Sequence, residues 1–274
     1  MIANRELLFR TIGTTITIHL HRKPSTTMKL TLKILRQENP GAKSTTETYT
    51  VEDVDPDMRF LYMLDMLNGR LIKEGIRPIA FDHGCREGIC GDCGFMINGV
   101  PHGHHSGKTV CQLYMREFEE GDVLLLEPFR SRALPVIQDL LVDTRALERV
   151  VQAGAFVPSF AVEETRPEQS QSLDEKAGPP PFCIECGACV AACPNASAML
   201  FAGAKFATVS GFHPDRSDRS SRVTRIVAHM DTEGFGACSN HGECEAVCPK
   251  GISVDLIAGL NAGYISAALR RLGK

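Results

Sequence analysis

CIECGACVAACP, residues 183–194, places Cys183, Cys186, Cys189 and Cys193 in the spacing C-x2-C-x2-C-x3-C-P, the ligation run of an iron–sulfur cube. A second run, CSNHGECEAVCP at 238–249, keeps Cys238, Cys244 and Cys248 of that pattern and sets His241 where the second thiol belongs. In paired runs the fourth cysteine serves the other cluster, because the proline after it turns the chain away. That rule assigns Cys183, Cys186, Cys189 and Cys248 to one cube, with Pro249 following as required, and Cys193, Cys238 and Cys244 to the other. Four thiolates hold [4Fe-4S]. A corner without a thiolate tends to lose its iron, so the three-thiol site is expected to hold [3Fe-4S]. A histidine-ligated [4Fe-4S] cluster through His241 is the alternative, since imidazole does bind iron in Rieske centres.

Upstream, CREGICGDC sets Cys85, Cys90 and Cys93 in C-x4-C-x2-C spacing, with Cys111 further on; this is the plant-type [2Fe-2S] pattern. Gly84, Gly88 and Gly91 let such a loop wrap a cluster and aim amide N–H groups at its sulfurs. Zinc is the competing ligand, because C-x2-C pairs also serve zinc, but the x4 step and the glycine density fit iron better. His102, His104 and His105 precede Cys111 and read as a solvated loop, since four thiolates are already in hand. All eleven cysteines are then assigned.

The composition suits such a chain. Eleven is an odd count, and ten of the cysteines fall in three short runs, which fits cluster ligation in a reducing compartment better than disulfides. With 274 residues, 43% hydrophobic and a net charge of -3, the chain is globular, of one large or two ordinary domains, and has no basic footprint for nucleic acid. No apolar stretch reaches membrane-spanning length, so membrane contact is expected to be peripheral. No G-x-G-x-x-G, nucleophile elbow or H-E-x-x-H appears, so the chain reads as an electron conduit whose substrate chemistry lies on a partner.

An α+β fold is expected. Residues 29–133 alternate strand-like runs at 30–35, 48–51, 79–81, 95–97 and 123–126 with one helix near 58–67. From 134 to 274 the pattern turns helical, at 136–142, 145–151, 188–192, 221–230, 238–247 and 254–269. The Pro-rich stretch 163–181 is read as a surface strap. Residues 1–28 form an N-terminal extension whose arginines resemble those of a transit peptide, without a secretory h-region.

GCREGICGDCG, CIECGACVAACP and CEAVCPKGI, in this order, resemble the iron–sulfur subunit of succinate dehydrogenase and fumarate reductase, in a divergent, prokaryotic-like branch. The resemblance covers about residues 29–274 and implies a β-grasp [2Fe-2S] ferredoxin domain followed by an α-helical, bacterial-ferredoxin-like domain. It implies a peripheral subunit on the cytoplasmic face of a bacterial membrane. Electrons would come from a covalent-FAD subunit and pass through the three clusters to quinone, at a membrane anchor or cytochrome b subunit that can carry haem. Pro194, Asn195, Ser239 and His241 are the quinone-proximal candidates under this resemblance.

Three departures are visible. Seventeen residues separate Cys93 from Cys111, a longer loop than is common in the family. There is no Trp anywhere, and Ala198 stands near the position where many members place one at the quinone pocket. Ser239 follows Cys238 where members often have His. The alternative reading is an electron-transfer subunit of a fumarate reductase or related flavoenzyme complex; a free-standing ferredoxin is disfavoured, because shuttling ferredoxins need no long helical scaffold. The C-terminal stretch from 252 is amphipathic with a basic tip, read first as a core helix and second as a membrane or anchor contact.

Overall fold

In the computed structural model, which describes residues 7–11, 14–18, 27–156, 182–212 and 216–272, strands β1 (Leu7–Thr11) and β2 (Thr14–Ile18) form a separate antiparallel hairpin. The strap 163–181 and most of the N-terminal extension lie outside the described residues. The main sheet is built from β3 (Met28–Arg36), β4 (Thr45–Val54), β5 (Met96–Ile97), β6 (Val100–Pro101) and β7 (Val123–Glu127), in the order β4-β3-β7-β5-β6. The β3–β7 pair is parallel, Thr31 to Val123 through Ile34 to Leu126, and the other pairs are antiparallel. Strict alternation on β3 turns Leu30, Leu32 and Ile34 inward.

Helix α1 (Phe60–Lys73) covers that face, completing the β-grasp arrangement. Its buried residues Phe60, Leu64, Leu67 and Leu71 recur at helical spacing, and burying each such side chain contributes about 1.5–3 kcal/mol. The helix entrance is tied to the segment that bears Cys111. Phe60 N donates to Leu113 O, Met115 N to Met58 O, and the Arg59 guanidinium to Cys111 O at 3.1 Å.

Two expectations fail next to this sheet. Residues 79–81 are not a strand: Ile79 N donates to the Asn68 side chain at 2.7 Å and Ala80 N to Asp139 Oδ2 at 2.9 Å, so side chains take the backbone groups a ladder would use. Residues 136–142 are not helical. They form a tight hairpin of β8 (Val136–Gln138) and β9 (Leu141–Val142) around Asp139, which lies in the left-handed region at φ 46°. The fully buried Asp139 carboxylate accepts from Arg36 Nε, Gln37 N, both terminal nitrogens of Arg77 and Ala80 N, at 2.8–3.2 Å. Burial alone would raise its pKa, but Arg77 and the amide donors outweigh it and hold it below the usual carboxylate value.

The second half is helical: α2 (Arg145–Val150), α3 (Ala188–Ala192), α4 (Met199–Phe212), α5 (Arg216–Thr232), α6 (Glu243–Ala246) and α7 (Asp255–Leu272). The sequence reading missed α4, whose residues are apolar nearly all round and so lack helical periodicity; Leu200, Phe201, Ala202 and Ala204 are buried. The helix expected over 238–247 shrinks to the single turn α6. Asn240 and Gly242 adopt φ 58° and 84°, which ends any helix before Glu243 and loops the thiols around a common volume. The core around α1 takes in Leu140, while Met96 and Phe129 from the sheet side belong to the helical core, so the two cores interlock.

Candidate metal centres

At the first centre, the amides of Glu87, Ile89 and Cys90 all point at Cys85 Sγ, at 3.3–3.4 Å, and Cys85 N donates to Cys90 Sγ at 3.3 Å. These donors bring the Cys85 pKa down to about 7. Cys111 arrives on a turn capped by Thr109 and Gln112, and Thr109 Oγ1 lies 3.2 Å from its sulfur. A hydrogen bond shared with Cys93 lowers Cys111 to about 6 and raises Cys93. The loop and the turn interlock, because a Cβ on Gly88 would meet the Gln112 amide at 2.4 Å. Burial raises the Cys90 pKa.

The helical half gathers its thiols differently. Cys183, Cys186, Cys189 and Cys248 line one cavity with Leu200, Phe201 and Pro249. Burial pushes Cys183 up, Cys186 to about 12 and Cys189 well above the ordinary value. The charges that raise Cys189 further come from Cys186, Cys183 and Cys248, then Cys244. Lys205 on α4 reaches back to the Cys183 carbonyl at 3.2 Å and pairs with Glu185, fixing the first turn of the run.

Cys193, Cys238 and Cys244 line a second cavity of about 260 Å³ with Ser239, Asn240 and His241. Burial raises Cys244, with Cys193 and Cys238 adding to the shift. Asn195 donates to Ala237 O at 2.9 Å and to Ser239 Oγ at 2.5 Å, so two quinone-proximal candidates touch directly. His241 is exposed and faces the same cavity; Pro194 is exposed beside Asn195 and does not line it.

The donor sets fit polynuclear clusters. A cluster spreads its thiolates over its own corners, so its ligands ring a volume rather than a point. Among the described residues, no three His, Cys, Asp or Glu side chains converge on a point as a single-ion site would require.

The histidine loop departs from expectation. His104 is exposed and His105 sits 3.3 Å from Glu117, but His102 is 1% exposed, edge-on to Phe129, with neither ring nitrogen partnered. Burial drives its pKa down to about 4. The loop folds inward at this point because His102 N continues the hairpin pairing to Phe95 O.

Comparison with known proteins agrees with this layout. Residues 31–149 match the family described as 2Fe-2S iron-sulfur cluster binding domain, and residues 182–252 match the 4Fe-4S dicluster domain. The fumarate reductase iron-sulfur subunit of Wolinella succinogenes is 31% identical over 81% of this chain and 91% of its own length. The succinate dehydrogenase iron-sulfur subunit of Bacillus subtilis is 30% identical over 69% and 73%.

The chain belongs to the succinate dehydrogenase/fumarate reductase iron–sulfur subunit family. As a member of that family it is an electron-transfer subunit of an oxidoreductase complex. A fumarate reductase (CoM/CoB) chain of Methanothermobacter marburgensis is 33% identical over 82% of this chain, which spans only 42% of that protein. The fold is shared with a chain of the Mycobacterium smegmatis Sdh1 complex in the apo form, at TM-score 0.55 and 20% identity, covering 90% of this family member and 98% of that chain.

Proposed function

We propose that the chain is the iron–sulfur subunit of a succinate:quinone oxidoreductase. It carries electrons from an FAD subunit through [2Fe-2S], [4Fe-4S] and [3Fe-4S] to quinone at a membrane anchor. The observation that supports this reading is that Cys183, Cys186, Cys189 and Cys248 line one cavity while Cys193, Cys238 and Cys244 line another. Cys85, Cys90, Cys93 and Cys111 hold the first cluster, Cys183, Cys186, Cys189 and Cys248 the second, and Cys193, Cys238 and Cys244 the third. Bound there, the clusters supply one-electron exchange without proton chemistry. The chain's own residues insulate and orient: the Cys85 amide cage stabilises added negative charge, and the apolar walls of the helical half exclude water.

In this reading residues 29–133 form the unit facing the flavoprotein and residues 134–274 the unit facing the anchor. The exposed loop tip at Glu87 and Ile89 supports the first contact, with Arg86 fixed against Asp65 at 2.8 Å. Helix α7 supports the second, exposing Ile265, Leu269 and Leu272 beside a basic tip. The peripheral position on the cytoplasmic face belongs to the same proposal, by analogy with the family; no described helix is long and apolar enough to cross a membrane. The relatives named as fumarate reductases, at 33% and 31% identity, favour the reverse direction as a second reading.

Low-temperature EPR with iron and sulfide analysis tests the proposal. It should show a [3Fe-4S] signal when oxidised, [2Fe-2S] and [4Fe-4S] signals when reduced, and about nine irons and about ten sulfides per chain. Stoichiometric zinc without sulfide would overturn it. Cross-links from Arg86 and Glu87 should reach the flavoprotein, and those from Pro194 and Asn195 the anchor; the opposite polarity would reverse the path.

A further inference from the structure

The first two ligand loops meet backbone to backbone at Gly91. Gly91, flanked by Cys90 and lying two residues before Cys93, is buried against the second loop: a Cβ there would fall 2.2 Å from Ile184 O and 3.1 Å from Cys186 N. Gly94, directly after Cys93, is nearly as close, since its Cβ would sit 2.5 Å from the Phe129 ring and 3.2 Å from Cys186 O. Phe129 in turn packs against Gly187, next to Cys186. Contacts under 3.0 Å cannot be absorbed where the neighbour is backbone, so any side chain at Gly91 forces the loops apart.

The geometry points to Gly91 and Gly94 as positioning residues that set the electron-transfer gap between the first centre and the second. The inference rests on the cluster assignment proposed above. One electron leaves the centre held by Cys85, Cys90, Cys93 and Cys111, which is oxidised by one, and enters the centre held by Cys183, Cys186, Cys189 and Cys248, which is reduced by one. No bond breaks and no proton moves. Electronic coupling falls exponentially with the through-space gap, so the absence of a side chain at Gly91 is what keeps the two ligand loops in van der Waals contact through Cys186.

The test uses the assembled, cluster-loaded complex and three variants. Gly91→Ala carries both the clash and the strain of φ +85°, whereas Gly94→Ala carries a clash without positive φ. Gly99→Ala is the control, with φ +80° and nothing within 4 Å of its added Cβ. In Gly91→Ala and Gly94→Ala, iron, sulfide and both EPR signals should be retained. The reduced [2Fe-2S] signal should saturate at several-fold lower microwave power, reporting weaker spin coupling to its neighbour, and electron delivery to the second cluster should slow several-fold. Gly99→Ala should match the wild type. Unchanged saturation and rate with both clusters in place would overturn the inference. So would loss of the clusters in both test variants but not in the control, since the contact would then retain the clusters rather than space them. A wild-type chain lacking either spin system would instead overturn the cluster assignment, and the inference with it.

Discussion

Cys85 in the β-grasp half and Cys186 and Cys189 in the helical half are prepared for iron in opposite ways. In the β-grasp half, three amides surround Cys85 and bring it to about 7, so the loop is set up for negative charge before any metal arrives. In the helical half, burial drives Cys186 to about 12 and Cys189 well above the ordinary thiol value. At Cys85 donors dominate; at Cys186 and Cys189 exclusion of water does. A thiolate at the latter two is costly until a cation offsets its charge, so there the metal is part of what makes the fold favourable.

The largest effect should come from exchanging sulfur for oxygen in each half. Cys189→Ser should abolish the [4Fe-4S] signal and lower the yield of folded protein, because a hydroxyl is costly in a site shielded from water. Cys85→Ser should retain a [2Fe-2S] signal with altered g-values, since the amides of Glu87, Ile89 and Cys90 can serve an oxygen equally. EPR of the purified variants reads both, and equal losses would erase the contrast between the halves.

The Asp139 clamp is next in size. Asp139→Ala leaves Arg36, 3% exposed, without its buried partner, and should cost about 3–5 kcal/mol in denaturant unfolding. Arg77 lies closer to solvent, so Arg77→Ala should cost much less.

His102 sharpens the comparison through pH. The unfolded chain takes a proton at about 6.5 while the folded chain refuses it until about 4, so stability should fall as pH drops through that window. The loss is about 1 kcal/mol by pH 5.5 and approaches about 3 kcal/mol near pH 4. His102→Leu should remove this dependence, as measured by urea midpoints at pH 7.5 and 5.5.

The smallest structural change is expected at His241. His241→Ala should keep the [3Fe-4S] signal, because the imidazole is placed at the cavity rim and is not needed as a ligand in the proposed set. His241→Cys should convert the cluster to [4Fe-4S], lower its potential and slow quinone reduction, while leaving dye-linked succinate oxidation largely intact. Loss of a native [4Fe-4S] signal in the alanine variant would make His241 a ligand.

The two cluster-binding domains were legible because ligand spacing is local information, and the structure lines one cavity with Cys183, Cys186, Cys189 and Cys248 and another with Cys193, Cys238 and Cys244. The β3–β4 hairpin and α1 were legible for the same reason, carried by periods of two and of three to four residues. The Asp139 hairpin was not: VIQDLLV reads as an apolar helix until Arg36 and Arg77, far away in the chain, take its carboxylate. Helix α4 has no polar face to mark its period. His102 was misread because a His-Gly-His-His loop looks polar, and only the tertiary packing of Phe129 encloses its first imidazole.

The crossed thiol sets also bear on the order in which a growing chain becomes competent. When the first helical run has left the ribosome, the proposed [4Fe-4S] site has three of its sulfurs and the proposed [3Fe-4S] site has one, Cys193. Both wait for the second run, and Cys248, the last cysteine in the sequence, closes the four-thiol site only after Cys238 and Cys244 have supplied the other. On that assignment neither centre of the helical half has its full set of thiols until the second run is made, whereas the four cysteines from 85 to 111 are all present more than seventy residues before Cys183.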